Sequence, residues 1–177
     1  MASADEIRSA LLRRGFAPHI AEAFILNFQD ESGLNPGINE VSPTVQGARG
    51  GYGLAQWTGP RRVAFEDYAA SRGMPLDSVD AQIDFLVEEL RGPEARAGKQ
   101  IFSAPDTATA ANAILTQFLR PAKEHQDRRS ARYSGVNHLA QPSATQPEPQ
   151  NLLRQFYAAK ALLPKYDMQQ DVRNFLT

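Results

Sequence analysis

The sequence predicts a mainly α-helical protein with one small hairpin or loop region and a helical arm at its C-terminal end. Apolar residues recur every three or four positions through most of the 177 residues, which is the spacing of one buried helix face. Residues that cap helices, and glycines that end them, bracket these stretches. A chain of this length suffices for one compact domain and a short appendage.

The first two helices are marked most clearly. Ser3, with Glu6 three residues later, forms a capping-box pattern that predicts a helix at the start of the chain. Pro18 predicts the start of a second helix, because proline is tolerated in a first turn. The apolar spacing of this second helix continues to Glu31, and Gly33 predicts its end.

A loop and further helical patterns follow. Residues 33–59 are rich in glycine and include prolines, which predicts a loop with at most a small two-stranded hairpin at residues 47–54. The later patterns predict helices from Pro60 to Gly73, from Asp77 (with Asp80 in the capping position) to Gly92, from Asp106 or Thr107 to Pro121, and from Lys123 to Tyr133. Residues 1–136 are therefore predicted to form one helical domain.

The composition changes after this domain. Residues 140–150 carry three prolines and no large apolar residue, so residues 137–150 are predicted to form an extended linker. Residues 151–177 include an amphipathic stretch and are predicted to be helical. This arm either tethers the domain to a larger particle, as a helix laid in a groove, or packs on the domain as one more helix.

Bulk composition excludes several classes of function. Nineteen basic and 20 acidic residues leave a net charge of -1, which does not favour binding to nucleic acid or to an anionic membrane surface. The absence of cysteine excludes disulfides, thiol nucleophiles and thiolate zinc sites. The 3 histidines are scattered, so no metal site and no cofactor is predicted. The start of the chain lacks a secretion signal and no stretch is apolar enough to insert into a membrane, which predicts synthesis and retention in the cytoplasm.

The segment 31–36, Glu-Ser-Gly-Leu-Asn-Pro, carries the first chemical prediction. It places the carboxyl group of Glu31 at the C-terminal end of a helix, at the negative end of the helix dipole, and a glycine-rich turn with Gly-Leu-Ala-Gln-Trp follows at residues 53–57. That placement suits a group that must keep its proton until it donates it. Cleavage of a glycosidic bond requires such a donor.

Three motifs in this order resemble the phage tail-type lysozymes, a family of the lysozyme-like superfamily. They are Asn27-x-x-x-Glu31-Ser32-Gly33-Leu34-Asn35-Pro36, Gly51-x-Gly53-Leu54-Ala55-Gln56-Trp57-x-Gly59-x-Arg61, and Gln82-x-x-Phe85-Leu86-x-x-Glu89-Leu90. The Glu-Ser and Gly-Leu-x-Gln pairing is also similar to lytic transglycosylases and goose-type lysozymes. The resemblance covers about residues 8–135 and implies a lysozyme-like helical domain with a hairpin beside its cleft. Its implied substrate is bacterial peptidoglycan, at the β-1,4 bond between N-acetylmuramic acid and N-acetylglucosamine.

The resemblance implies that Glu31 is the general acid and leaves the second group open. Glu40 lies nine residues further on, the offset that separates the acid from an aspartate in inverting phage-type lysozymes. It could direct the attacking water if the two carboxyl groups stand about 6.5–9.5 Å apart, or it is a loop glutamate that faces solvent. In the lytic transglycosylase route one glutamate serves as acid and then base, and the sugar's own hydroxyl attacks to give an anhydro product.

Four residues are predicted to line or support the substrate site: Ser32, Tyr52, Gln56 and Trp57. Gln56 would hydrogen-bond sugar hydroxyls or an N-acetyl group, with a buried structural amide as its alternative. Tyr52, between two glycines, would stack on a sugar ring. Trp57 is either a core residue or a sugar platform, and Ser32 would cap or orient Glu31.

The remaining charged residues near these motifs are predicted to face solvent. Asp30 points away from its neighbour Glu31, because adjacent helical residues diverge by about 100°. The basic residues are predicted to form a solvated face, with contact to acidic groups of peptidoglycan as the alternative; they are Arg61, Arg62, Arg128, Arg129 and Arg132.

One departure from the family pattern bears on activity. Relatives often carry an aromatic-Glu-Arg-Pro run where this chain has Phe118-Leu119-Arg120-Pro121. If the missing acid shapes the cleft, its loss lowers activity, and a virion structural or wall-binding protein becomes the alternative function. The resemblance implies synthesis in the host cytoplasm and then either virion association, with residues 151–177 contacting tail or capsid proteins, or release to the cell wall at lysis or infection.

Overall fold

The computed structural model describes residues 1–40 and 49–136, which are helical through most of their length. The predicted mainly α-helical fold is confirmed. The helices are α1 (Ala4–Arg13), α2 (Pro18–Ser32), α3 (Gly59–Ser71), α4 (Val79–Arg91), α5 (Ala95–Phe102), α6 (Thr107–Ala113), a π-helical segment (Ile114–Leu119) and α7 (Lys123–Ser134).

The two ends predicted for α1 and α2 follow from local chemistry. The Ser3 hydroxyl accepts a hydrogen bond from the backbone N–H of Glu6 at 3.1 Å, which satisfies a donor in the first turn that has no partner inside the helix. At the end of α2, Gly33 adopts a left-handed conformation with φ of 59°, a conformation that costs a residue with a Cβ atom more than glycine. The position of Glu31 in the last turn of α2 is thereby fixed.

Helix α2 lies at the centre of the core. It packs against α1, α6 and the π-helical segment. Its Phe24 and Phe28 are fully buried, and the Phe24 ring meets Phe118 of the π-helical segment edge to face at 6.4 Å between centroids. Aromatic rings of this size supply a large share of buried apolar area, so the helix that carries Glu31 is held rigidly from several sides.

Helices α4 and α5 differ from the sequence prediction. Helix α4 begins at Val79, two residues after the predicted Asp77, and Ser78 is its cap. Helix α5 was not predicted, since Pro93 and Gly98 interrupt a helical pattern. The structure explains the glycine: a Cβ atom on Gly98 would lie 2.2 Å from the carbonyl oxygen of Leu90. Glycine thus allows α5 to approach the end of α4 closely.

The single helix predicted to run to Pro121 is divided in two. Helix α6 ends at Ala113, and residues Ile114–Leu119 continue as a π-helix. Arg120 then turns into the left-handed region with φ of 52°, and its N–H donates to the carbonyl of Leu115 at 2.9 Å. A π-helical turn of this kind is uncommon and recurs at functional sites.

In the described part of the predicted hairpin, the structure has isolated pairings instead of two strands. Tyr52 pairs antiparallel with Asn39 and with Trp57, rather than within residues 47–54. The Tyr52–Trp57 pairing carries N–H···O=C bonds of 3.1 and 3.0 Å. The chain reverses between these residues because Gly53 and Gln56 both take positive φ, 71° and 51°. We call residues 51–57 the glycine turn.

The predicted linker at residues 137–150 and arm at residues 151–177 lie outside the described residues, as do residues 47–48 of the predicted hairpin. The proposed division of the chain at residue 136 therefore stays a prediction. In the described parts, no helix has the length and apolar character needed to cross a membrane.

Candidate functional site

Glu31 is held by an arginine that is distant in the sequence but close in the fold. Its side chain is 14% exposed, and Oε1 accepts a hydrogen bond from Nη1 of Arg129 in α7. Nη2 of the same guanidinium donates to the backbone carbonyl of Asp30 at 3.3 Å. Arg129 therefore caps the C-terminal end of α2, where a cation is stabilising. Within residues 1–40 and 49–136, Oε2 of Glu31 has no hydrogen-bond partner.

Asp30 belongs to the same charged cluster, and its predicted surface position is wrong. Its Oδ2 accepts a hydrogen bond from the Tyr133 hydroxyl at 2.6 Å and another from the guanidinium of Arg132. Burial, followed by the contact with Asp30, raises the pKa of the Tyr133 hydroxyl. Asp30 is thus engaged by α7 and is not available as a second group for the chemistry of Glu31.

The predicted solvated face is wrong for Arg129, which is buried, and the sequence alone indicates no role for Tyr133. Arg132 and Tyr133 follow Arg129 by three and four residues, so both are its neighbours on the same face of α7. That spacing is visible in the sequence. What the sequence does not show is that this face meets the end of α2, about a hundred residues away in the chain.

Replacement of Tyr133 by phenylalanine should remove a charge-assisted hydrogen bond while the ring stays in place. We expect a loss of about 1.5–3 kcal/mol in the free energy of unfolding at pH 8. The raised pKa of Tyr133 means that the folded protein keeps this proton above pH 10.0, the ordinary value, whereas the unfolded chain releases it. Stability from this group is therefore complete below about pH 10 and declines above it.

The gap between the wild-type protein and Tyr133→Phe should therefore narrow as pH rises. Urea denaturation of both proteins at pH 8 and pH 11 measures it. A gap that is the same at the two pH values would show that the Tyr133 hydroxyl is not the titrating group.

Glu40 is exposed and attached to the glycine turn. Its N–H donates to the carbonyl of Gly51 at 2.8 Å, and its Oε2 accepts from the N–H of Gly51 at 2.9 Å. This reciprocal pair anchors the carboxylate beside the turn rather than leaving it mobile in solvent. The catalytic role of Glu40 stays a prediction.

The glycine turn shapes the surroundings of Gln56. The Gln56 side chain folds back over the turn, with Nε2 donating to the carbonyl of Gly53 at 2.8 Å. A Cβ atom on Gly51 would lie 2.6 Å from Oε1 of Gln56, so glycine at 51 leaves room for this amide. Backbone held at positive φ in a non-glycine residue, as at Gln56, is costly and is concentrated at functional sites.

Tyr52 is half-buried and already has partners within the protein. Its ring stacks on Phe65 with 6.2 Å between centroids, and the guanidinium of Arg62 lies 5.2 Å from its centre. Arg62 is itself buried and donates to the side chain of Asn39 and to the backbone carbonyls of Arg49 and Gly50. The predicted solvent exposure of Arg62 is wrong, because this arginine is buried and ties Asn39 and the residues just before the glycine turn to α3.

Trp57 lies in the core beneath the turn. Its side chain is 1% exposed, and its indole N–H donates to Oε2 of Glu89 at 2.6 Å. Arg61 binds the same carboxylate through both oxygens, at 2.7 and 2.8 Å, and its guanidinium covers the Phe118 ring at 4.5 Å. Of the two interpretations of Trp57, packing in the core is the one that this burial favours.

The side chains of Ser32 and Leu119 both lie against the interior of the domain. Ser32 is buried, and its hydroxyl donates to the carbonyl of Phe28 one turn back in α2 at 2.9 Å. Leu119 packs partly buried against the core. The following Arg120 binds both oxygens of Glu94, at 2.7 and 2.9 Å. In the parts of the chain that the structure describes, no three acidic or histidine side chains could hold a metal ion together.

In the described structure, Glu31 is hydrogen-bonded to Arg129 of α7. Tyr52 and Gln56 lie in the glycine turn, and Glu40 is hydrogen-bonded to it. The sequence profile of one protein family, described as phage tail lysozyme, matches residues 2–133. The match spans Glu31, the glycine turn and Arg129. No curated protein matches this chain.

Proposed function

This chain belongs to the phage tail lysozyme family, and we propose that it is a muramidase with Glu31 as its general acid. Membership of this family supports a lysozyme-like glycosidase of a bacteriophage. The proposed reaction is cleavage of the β-1,4 bond between N-acetylmuramic acid and N-acetylglucosamine in peptidoglycan. The observation that carries the proposal is that Arg129 holds one oxygen of the Glu31 carboxyl group, while the other oxygen has no hydrogen-bond partner in the described residues.

One oxygen of that group is occupied and the other is not. A protonated carboxyl can accept a hydrogen bond on its carbonyl oxygen while its O–H donates to another partner. Arg129 holds Oε1, which leaves Oε2 as the oxygen that would carry the proton to the glycosidic oxygen. The fixed guanidinium also limits the rotation of the carboxyl group, so the proton donor is oriented before substrate arrives.

The proposed reaction needs a nucleophile once the leaving group is protonated. As the bond to the leaving oxygen breaks, positive charge develops on the sugar ring, and a water molecule then attacks its anomeric carbon. Glu40 is the candidate that would accept a proton from this water. Its support is the pair of hydrogen bonds with Gly51, which holds the carboxylate at the glycine turn.

Gln56 and Tyr52 are the proposed sugar contacts. In the described part of the chain, Oε1 of Gln56 has no hydrogen-bond partner, although Nε2 is engaged by Gly53. An acceptor of this kind suits the N–H of an N-acetyl group. Tyr52 is only half-buried and can present part of its ring to a sugar. Ser32 and Trp57, which are buried, are proposed to support the site from behind.

The products of peptidoglycan digestion test the proposed reaction. We expect mass spectrometry of purified peptidoglycan treated with the protein to show fragments that end in reducing N-acetylmuramic acid, because water is the attacking group. Fragments with a 1,6-anhydro end would instead assign a lytic transglycosylase, in which Glu31 acts without Glu40. A digest without new fragments would contradict both and favour a structural role in the virion.

A further inference from the structure

The buried amide of Gln82 joins three segments of the chain. Gln82 lies in α4 and is 0% exposed. Its Nε2 donates to the carbonyls of Pro36 and Leu76 at 2.6 and 2.7 Å, and its Oε1 accepts from the N–H of Leu54 at 2.8 Å. Both donors and the acceptor are used, so the amide is satisfied in a place where an unpaired polar group would be costly.

Two of these three segments carry the proposed chemistry. Pro36 ends the segment that begins at Glu31, and Leu54 lies in the glycine turn two residues before Gln56. A direct backbone bond from the N–H of Gly53 to the carbonyl of Ile38, at 2.9 Å, runs beside the amide. Gln82 therefore braces the loop that follows the acid against the turn that would receive the sugar.

The turn lies directly on this amide. A Cβ atom on Gly53 would stand 2.6 Å from Oε1 and 2.7 Å from Nε2 of Gln82, closer than any side chain tolerates. Gly53 also has a φ of 71°, which glycine adopts at least cost. The absence of a side chain at 53 and the amide at 82 together set how closely the turn approaches α4.

We propose that Gln82 is a positioning residue for the reaction: it fixes the glycine turn, and with it Gln56 and Tyr52, relative to Glu31. This inference rests on the proposed function. A displacement of about 1 Å between catalytic and binding groups can lower a rate about 10²-fold. Three hydrogen bonds of one planar amide, two donated and one accepted, oppose such a displacement.

Gln82→Leu tests the proposal, because leucine fills a similar volume without hydrogen-bonding groups. Rates on soluble peptidoglycan strands are expressed per folded molecule, with the folded fraction taken from circular dichroism. We expect kcat to fall about ten-fold or more and KM to rise, since the acid and the sugar contacts no longer share one geometry. Leu11→Ala is the control: Leu11 is a buried core residue of α1, and its truncation should destabilise the fold without changing kcat or KM per folded molecule.

A second variant disturbs the same contact from the other side. Gly53→Ala keeps the amide and forces the turn away from it, so it should reproduce the changes in kcat and KM even if Gln82→Leu fails to accumulate as folded protein. Wild-type kcat and KM in either folded variant would overturn the positioning role. If the wild-type protein cuts peptidoglycan and a folded Gln82→Leu or Gly53→Ala protein has wild-type kcat and KM, the proposed function stands and this inference alone fails. An inactive wild-type protein would overturn both.

Discussion

Replacement of Glu31 by glutamine should lower the rate of peptidoglycan cleavage by about 10²–10⁴-fold, the usual contribution of a general acid. Glutamine has nearly the same shape, and its carbonyl oxygen can still accept the hydrogen bond from Arg129. Its amide cannot release a proton to the glycosidic oxygen. The expected defect is therefore in the chemical step, with the fold and the affinity for the glycan strand retained.

Dye release from labelled peptidoglycan gives the rate, and thermal unfolding shows whether the fold is intact. Glu88→Gln is the matched control, since it makes the same chemical change at an exposed position of α4. We expect wild-type activity from this control. A Glu31→Gln protein that cleaves at the wild-type rate would remove Glu31 from the mechanism and leave Glu40 as the next candidate for the general acid.

Local signals in the sequence predict where α1 begins and where α2, the helix that carries Glu31, ends. The Ser3 cap and the Gly33 stop act through bonds within one turn of the chain, so residue type and spacing suffice to predict them. The same holds for the turn at Gly53, where a glycine-rich segment predicted an irregular backbone. Which groups hold Glu31 in place could not be predicted, because Arg129 reaches it only through the packing of α7 on the rest of the domain.

Buried polar residues were the other gap. In α4, Ile83, Leu86 and Leu90 recur at helical spacing and are buried, as an apolar stripe predicts, but Gln82 and Glu89 are buried beside them. A hydrophobic pattern counts a polar residue as solvent-facing, whereas a buried one is stable when its partners satisfy it. Those partners lie in the loop after α2, in the glycine turn, in α3 and in the loop before α4, and only the fold brings them to these two side chains.

Glu89→Ala should cause the largest loss of stability among single changes to the charged groups of the described residues. Glu89 is 2% exposed and accepts three hydrogen bonds, one from Trp57 and two from Arg61. Its removal leaves a partly buried guanidinium and a buried indole N–H without their acceptor. Loss of one member of a buried ion pair costs about 3–5 kcal/mol, and urea denaturation measures it.

An exposed ion pair provides the comparison. Asp127 pairs with Lys123 on the surface of α7, with both side chains more than half exposed, and Asp127→Ala should change the free energy of unfolding by about 0.5 kcal/mol or less. Equal effects of Asp127→Ala and Glu89→Ala would contradict the assignment of Glu89 to a buried cluster.

The double variant Glu89→Leu with Arg61→Met separates charge pairing from packing. Apolar residues of similar volume can replace a buried ion pair at little cost, so the double variant should recover much of the stability that Glu89→Ala loses. The Trp57 N–H remains unpaired in it, and that loss should persist at about 1–3 kcal/mol. Trp57 pairs with Tyr52 across the glycine turn. A double variant with near wild-type stability but reduced cleavage would therefore show that the cluster serves the turn as well as the fold.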